Sequence, residues 1–123
     1  MIRPLRVLVV LETATFVTAA LVHFGELVDG YRHKAAGTGE SVIAFVLLTG
    51  LTLSWTRWPL QAVIATQAVA TVGVLVGLLT IAIGVGPRTA PDIAYHLGIL
   101  VALIAGLAIA LRERSAGEAS PPA

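Results

Sequence analysis

Apolar side chains crowd four stretches of the chain, roughly residues 5–24, 41–55, 60–85 and 93–111, and polar residues, glycines and prolines collect between them. About 20 consecutive apolar residues are needed for a helix to cross the hydrocarbon core of a bilayer. The second stretch is short, but Trp55 and Trp58 extend it into an interface, where indole rings sit well. Apolar and polar residues do not alternate with period two, and an open sheet edge is not tolerated in lipid, so strands are excluded. The pattern predicts an all-α fold, an antiparallel four-helix transmembrane bundle with helices at about 5–24, 41–57, 60–85 and 92–111.

The breaks between helices have their own chemistry. Gly25 to Glu40 carries Glu26, Asp29, Arg32, His33 and Lys34 and reads as a polar surface loop. Thr56-Arg57-Trp58-Pro59 reads as a tight turn, with Pro59 placed to open the next helix. Gly84, Gly86 and Pro87 end the third helix. Thr89 then caps the fourth, with Pro91 in its first turn and Asp92 at the positive end of its dipole. One membrane domain over residues 1–112 is expected, and 113–123 reads as a disordered cytoplasmic tail. Glu12 interrupts the first apolar run too early for the core of a cleaved signal peptide, so that helix is expected to be retained.

Composition sharpens the assignment. Of 123 residues, 57% are hydrophobic and 12% charged, with mean hydropathy +0.91. Soluble domains carry roughly 25% charge, and a chain this small leaves much of its surface exposed, so lipid is the solvent that fits. Without cysteine there are no disulfides, thiolate metal sites or cysteine nucleophiles. A net charge of +1 offers nothing to nucleic acid. Arginine far outnumbers lysine, a bias in keeping with a GC-rich bacterial genome and hence a bacterial inner membrane. Arg3, Arg6, Arg57, Arg112 and Arg114 fall on one side of the expected bundle, against Arg32, Lys34 and Arg88 on the other, which predicts a multi-pass cell-membrane protein with both termini cytoplasmic.

Two constellations could carry chemistry. Glu12 is the one ionisable residue well inside any of the four expected spans, and a carboxylate there must find a partner or be held neutral. Thr15, Ala19, His23 and Glu26 share its side of the helix within about 60°. Gln67, and Thr49 or Thr52, are expected at similar depth, so Glu12, Gln67 and Thr49 form a candidate substrate or ion site, or else interhelical glue worth about 0.6 kcal/mol per contact. His23 and His96 are expected near the same interface, each with a glycine two positions on, and two such imidazoles are one way to hold b-type haem. No metal site or catalytic residue is expected.

Small residues supply the packing pattern. Ala94, Gly98, Ala102, Gly106 and Ala110 recur every four residues in the fourth helix, and Gly73 and Gly77 do so in the third. Such ladders let helices approach closely, within one chain, in a homo-oligomer or with a membrane-protein partner. A glutamate in the first of four helices in so short a chain resembles the small multidrug resistance transporters. That resemblance implies a proton- or cation-binding role for Glu12 in an antiparallel homodimer. It covers only Leu11-Glu12 with the run from Thr13 to Thr18, and the overall layout. The third helix lacks that family's aromatic residues, and the long charged loop is foreign to it.

Three functions follow as expectations. The first is a non-enzymatic accessory or interaction component of the bacterial inner membrane. The second is a proton-coupled transporter or ion-binding protein centred on Glu12. The third is a haem b electron carrier using His23 and His96. No nucleophile, base and orienting group converge as a hydrolase would need.

Overall fold

The computed structural model describes residues 2–119, which form four helices: α1 (Ile2–Phe24), α2 (Lys34–Leu53), α3 (Pro59–Ala82) and α4 (Ala90–Glu118). Each is long and apolar enough to cross a membrane, which fits a multi-pass membrane protein. Successive helices pack on one another, α1 closes more loosely on α4, and α1 touches α3 across the middle. The backbones of α2 and α4 do not approach closely. The end of α1 lies beside the start of α4, where His23 meets Asp92, and the start of α1 lies beside the end of α2, where Arg6 meets Ser54. Helix α1 therefore runs antiparallel to both.

Every helix buries a stripe spaced three and four residues apart, the period of one helix face. In α1 the stripe is Leu5, Val9, Glu12, Phe16, Ala20 and His23; in α2 it is Gly37, Glu40, Ala44, Leu47 and Gly50. In α3 it is Val63, Gln67, Ala70 and Val74, and in α4 Asp92, His96, Ile99, Leu103, Gly106 and Ala110. The outward faces are equally apolar: Phe45 is 71% exposed and Val101 68%. Polarity, not hydrophobicity, distinguishes the inside from the outside.

Several helix boundaries differ from the sequence expectation, α1 starting three residues earlier, at Ile2, and α2 ending four residues earlier, at Leu53. Helix α2 begins at Lys34, seven residues before the expected start at 41, because His33 caps it by accepting from Ala36 N (3.3 Å) and the chain is helical through Gly37 and Gly39. Phe24 occupies the space at Gly37, where a Cβ would lie 3.0 Å from the ring. Glu40 thus moves from the expected loop into the bundle, while Trp55 and Arg57 lie in the turn beyond α2. Helix α3 stops at Ala82, and Gly84 takes the positive φ (+83°) that a side chain would resist. Helix α4 runs to Glu118, so residues 113–118 of the expected disordered tail are helical. Arg114 and Glu118 pair one turn apart (2.8 Å) and extend it. Residues 120–123 of that tail lie outside the described residues.

The opposite end of the bundle is tied by Arg6. Its Nε donates to Ser54 Oγ (3.0 Å), its Nη2 donates to the Ser54 carbonyl, and its guanidinium lies 4.5 Å from the Trp55 ring centre. Arg57 lies over Trp58 in the same turn. These contacts join the start of α1 to the end of α2 and gather both tryptophans at the end that also holds the amino terminus of α1.

The small-residue ladders are divided. A four-residue step advances about 40° around a helix, or about 160° over the four steps from Ala94 to Ala110. Ala94 and Gly98 accordingly face outward, with nothing near a Cβ at Gly98, whereas Gly106 and Ala110 are buried. Gly73 and Gly77 are taken up within the chain, the first against Ile43 of α2 and the second against His96 of α4. A Cβ at Gly106 would lie 2.8 Å from Leu8 Cδ2 and 2.9 Å from Gln67 Nε2. Gly106→Leu should therefore destabilise the bundle by about 1–3 kcal/mol or more through overpacking, while Gly98→Leu should leave its stability unchanged. Thermal unfolding of both variants in detergent checks the contrast.

Candidate functional site

The buried stripes carry ionisable residues to one end of the bundle. His23, on the last turn of α1, is 2% exposed, Glu40 of α2 4%, and Asp92 in the first turn of α4 7%. His23 Nδ1 lies 2.6 Å from Glu40 Oε2, and His23 Nε2 lies 3.1 Å from Asp92 Oδ1. One imidazole is thus bracketed by carboxylates from two other helices. A neutral imidazole has one N–H and one lone pair. Satisfying both carboxylates therefore takes one further proton, on the ring or on a carboxyl group, and the geometry accepts either position.

The two carboxylates are unequally supported. Asp92 Oδ2 accepts from the Tyr31 hydroxyl (2.6 Å), from Thr89 N (3.0 Å) and from the Thr89 hydroxyl. The last two belong to a capping box in which the Thr89 side chain accepts from Asp92 N in return. Asp92 therefore caps α4 and partners His23 at once. Glu40 makes one side-chain hydrogen bond, to His23, and its Oε1 is buried without a partner among the described residues. Around the cluster stand Tyr31 (ring centres 5.6 Å from His23) and His33 (6.5 Å). Burial, helped by the hydrogen bond and charge of Asp92, pushes the Tyr31 hydroxyl up to about 12.

A second polar centre lies eleven residues back along α1, about 16 Å away at 1.5 Å per residue. Gln67 Nε2 donates to Glu12 Oε2 (2.5 Å), and both side chains are buried in the middle of the bundle. Glu12 Oε1 and Gln67 Oε1 have no partner among the described residues. Between the two centres Phe16 meets Tyr95 edge-on (6.1 Å), an apolar and aromatic layer.

Several expected assignments change. Thr49 and Thr52 face outward and bond the carbonyls of Phe45 and Leu48 in their own helix, so neither reaches Glu12. The bundle has turned α2 so that Leu47 and Gly50 face inward instead. Thr15 and Glu26 are exposed and do not join the inward stripe of Glu12. Glu12 is not the one ionisable group inside the helices, since His23, Glu40, Asp92 and His96 are buried there too. The two histidines expected as a haem pair are each engaged elsewhere in this structure. Both His23 nitrogens face carboxylates, and His96 Nδ1 donates to the Asp92 carbonyl (2.8 Å) with its ring packed over Gly77.

Sequence reasoning missed Glu40, Asp92 and Tyr31 as site residues. For Glu40 a signal was present: continuing the stripe Gly50, Leu47, Ala44 backward by helical steps lands on Glu40 and Gly37. Asp92 was hidden by its helix-start role, and Tyr31 by its loop. No family model, curated protein or solved structure matches this chain.

Two measurements follow from the geometry. His23→Ala leaves two buried carboxylates facing each other without their shared imidazole and should cost about 3–5 kcal/mol, read by thermal or denaturant unfolding in detergent. Tyr31 is held in its neutral form by the fold, so its contribution is complete below its ordinary value of 10.0 and is lost as the pH rises to about 12. Stability should fall across that window in the native chain, and Tyr31→Phe should flatten the fall.

Proposed function

We propose that this chain is a non-enzymatic, proton-coupled component of a bacterial inner membrane, with the Glu40–His23–Asp92 cluster as its proton site. The carrying observation is His23, almost wholly buried, with each ring nitrogen on a carboxylate from a different helix. Ionisable groups inside a membrane are expensive and mark proton relays, ion paths or ligand sites. Interhelical glue is a poor account of the cluster, because a serine or asparagine supplies a comparable hydrogen bond without the desolvation of two carboxylates.

The excess of arginine at the Arg6 and Arg57 end supports cytoplasmic termini. The His23 cluster then faces the outside, with Tyr31 and His33 between it and water. Glu12–Gln67 sits deeper, a second station on the same helix. Charged or titratable groups reach His23 from every side but one: Glu40 from α2, Asp92 from α4, Tyr31 and His33 from the loop, and none from α3. A proton entering from outside changes the charge of the contact that joins α1, α2 and α4, and so biases how those helices pack. That is the coupling a proton-driven carrier or sensor requires.

Infrared spectra of the reconstituted chain, titrated with pH, test the reading. A carboxylic acid carbonyl band that appears and disappears with pH is expected, with Glu40→Gln or Asp92→Asn altering it and Glu12→Gln leaving that component in place. If native chain and cluster variants titrate identically, the cluster is structural and the reading fails. For orientation, a carboxyl-terminal cytoplasmic reporter should be active, and an exported reporter at the same position silent.

A further inference from the structure

A cavity of about 190 Å³ lies between α2, α3 and the loop that follows α3, with Phe16 of α1 and His96 of α4 also in its wall. Glu40, Ile43, Val74 and Gly77 line it as well. An engineered cavity of about 150 Å³ holds benzene, so this one admits a compact ring or short branched chain with a polar head. Most of its wall is apolar, too poor in partners for a cluster of waters.

The polar groups on the wall are specific. Glu40 is 4% exposed, and its Oε1 is buried without a partner among the described residues. His96 is 8% exposed and donates through Nδ1 to the Asp92 carbonyl, which in the neutral ring leaves Nε2 as an acceptor. That nitrogen lies over Gly77, 3.0 Å from where a Cβ would stand. Glu40, with one unpartnered oxygen just behind the wall, and the acceptor nitrogen of His96 therefore belong to the lining of one apolar space. Charge points the same way: Glu40 and Asp92 bring two negative charges to a cluster whose one imidazole supplies at most one positive charge. Of the other titratable groups near Glu40, His23 is committed to both carboxylates and Asp92 adds negative charge. Tyr95 carries no positive charge, α3 contributes no titratable group, and His33, which also lines the cavity, supplies positive charge only when protonated. His33, half-buried, and Thr80, whose hydroxyl donates to the Gly77 carbonyl (2.7 Å), complete the polar lining.

We propose that this cavity is a binding site for a small organic ammonium ion, whose N–H groups are received by His96 Nε2 and by the Glu40 carboxylate, which turns its unpartnered Oε1 toward the ligand, while the apolar body fills the space beside Phe16 and Val74. The inference rests on the proton-site reading only through Glu40, which the two sites share. An ammonium ligand and a proton then oppose each other at Glu40, so ligand affinity falls as the pH falls.

The test uses the full chain in lipid nanodiscs, with benzylammonium as probe, toluene and benzyl alcohol as matched neutral molecules, and empty nanodiscs as the partition control. Saturable binding of benzylammonium by calorimetry is expected, with toluene giving none. Glu40→Gln should weaken it at least tenfold. Gly39→Leu provides a variant independent of charge: Gly39 lines the cavity, is exposed and has open space at its Cβ position, so a leucine adds bulk at the exposed edge of the cavity without a clash. It should weaken or abolish binding and leave the infrared titration intact. Equal binding of toluene, or undiminished binding in both variants, overturns the proposal. Absence of benzylammonium binding by a native chain that still titrates removes this inference alone. Binding that persists in a chain without a titrating carboxyl group, and that Gly39→Leu weakens or abolishes, removes the proton reading and leaves the cavity site standing.

Discussion

The bundle depends on one contact, the imidazole of His23 held between Glu40 and Asp92. It joins the ends of α1, α2 and α4, of which α2 and α4 have no close backbone approach of their own. Hydrophobic burial cannot set the rotation of these helices, because their outer faces are as apolar as their inner ones. In lipid the transfer of an alkyl side chain from outside to inside gains almost nothing, whereas an unpaired carboxylate facing outward is strongly penalised. With the helices in lipid, as the proposed function has them, the ionisable residues select which face of each helix turns inward, and the aliphatic residues fill the space that results.

Small residues set how closely the helices approach once those faces are chosen. Gly50 lies against Thr66, Gly73 against Ile43, Gly77 against the His96 ring and Gly106 against Gln67. At the Glu12–Gln67 centre the approach brings a buried amide onto a buried carboxylate. At Gly77 it admits an imidazole. The cavity lies beside these close approaches, with Gly73 and Gly77 of α3 in its wall opposite Gly39, Glu40 and Ile43 of α2. Packing and candidate binding are two results of one distribution of glycine.

The two polar centres and the cavity form a connected arrangement along α1. The His23 cluster lies at the loop end, the Glu12–Gln67 pair in the middle, and Phe16 and Tyr95 between them. Glu40 is the member shared by cluster and cavity, and it is also the less supported carboxylate. Under the proposed function, protonation and ligand occupancy meet at that side chain, which gives the bundle a means of linking one to the other.

Four helices, their order, Pro59 at the start of α3 and the cap of α4 were legible in the sequence, since length, apolar runs, proline and glycine act locally, whereas the His33 cap of α2 was not. Thr89, Pro91 and Asp92 begin α4 as their side chains dictate, and the polar positions Glu12 and Gln67 already stood out within apolar runs. What the linear order could not convey was rotation and partnership. Glu40 looked like a loop residue because glycine and charge surround it, yet the stripe of α2 carries it inward. Thr49 seemed to share the depth of Glu12, but depth without rotation does not make a contact, and it faces outward. The ladder from Ala94 to Ala110 appeared continuous, but its 40° drift per step divides it between surface and core. His23, Asp92 and Tyr31 come from positions 23, 92 and 31, so only the closing of the bundle, in which ends far apart in sequence become neighbours, could assemble their hydrogen bonds.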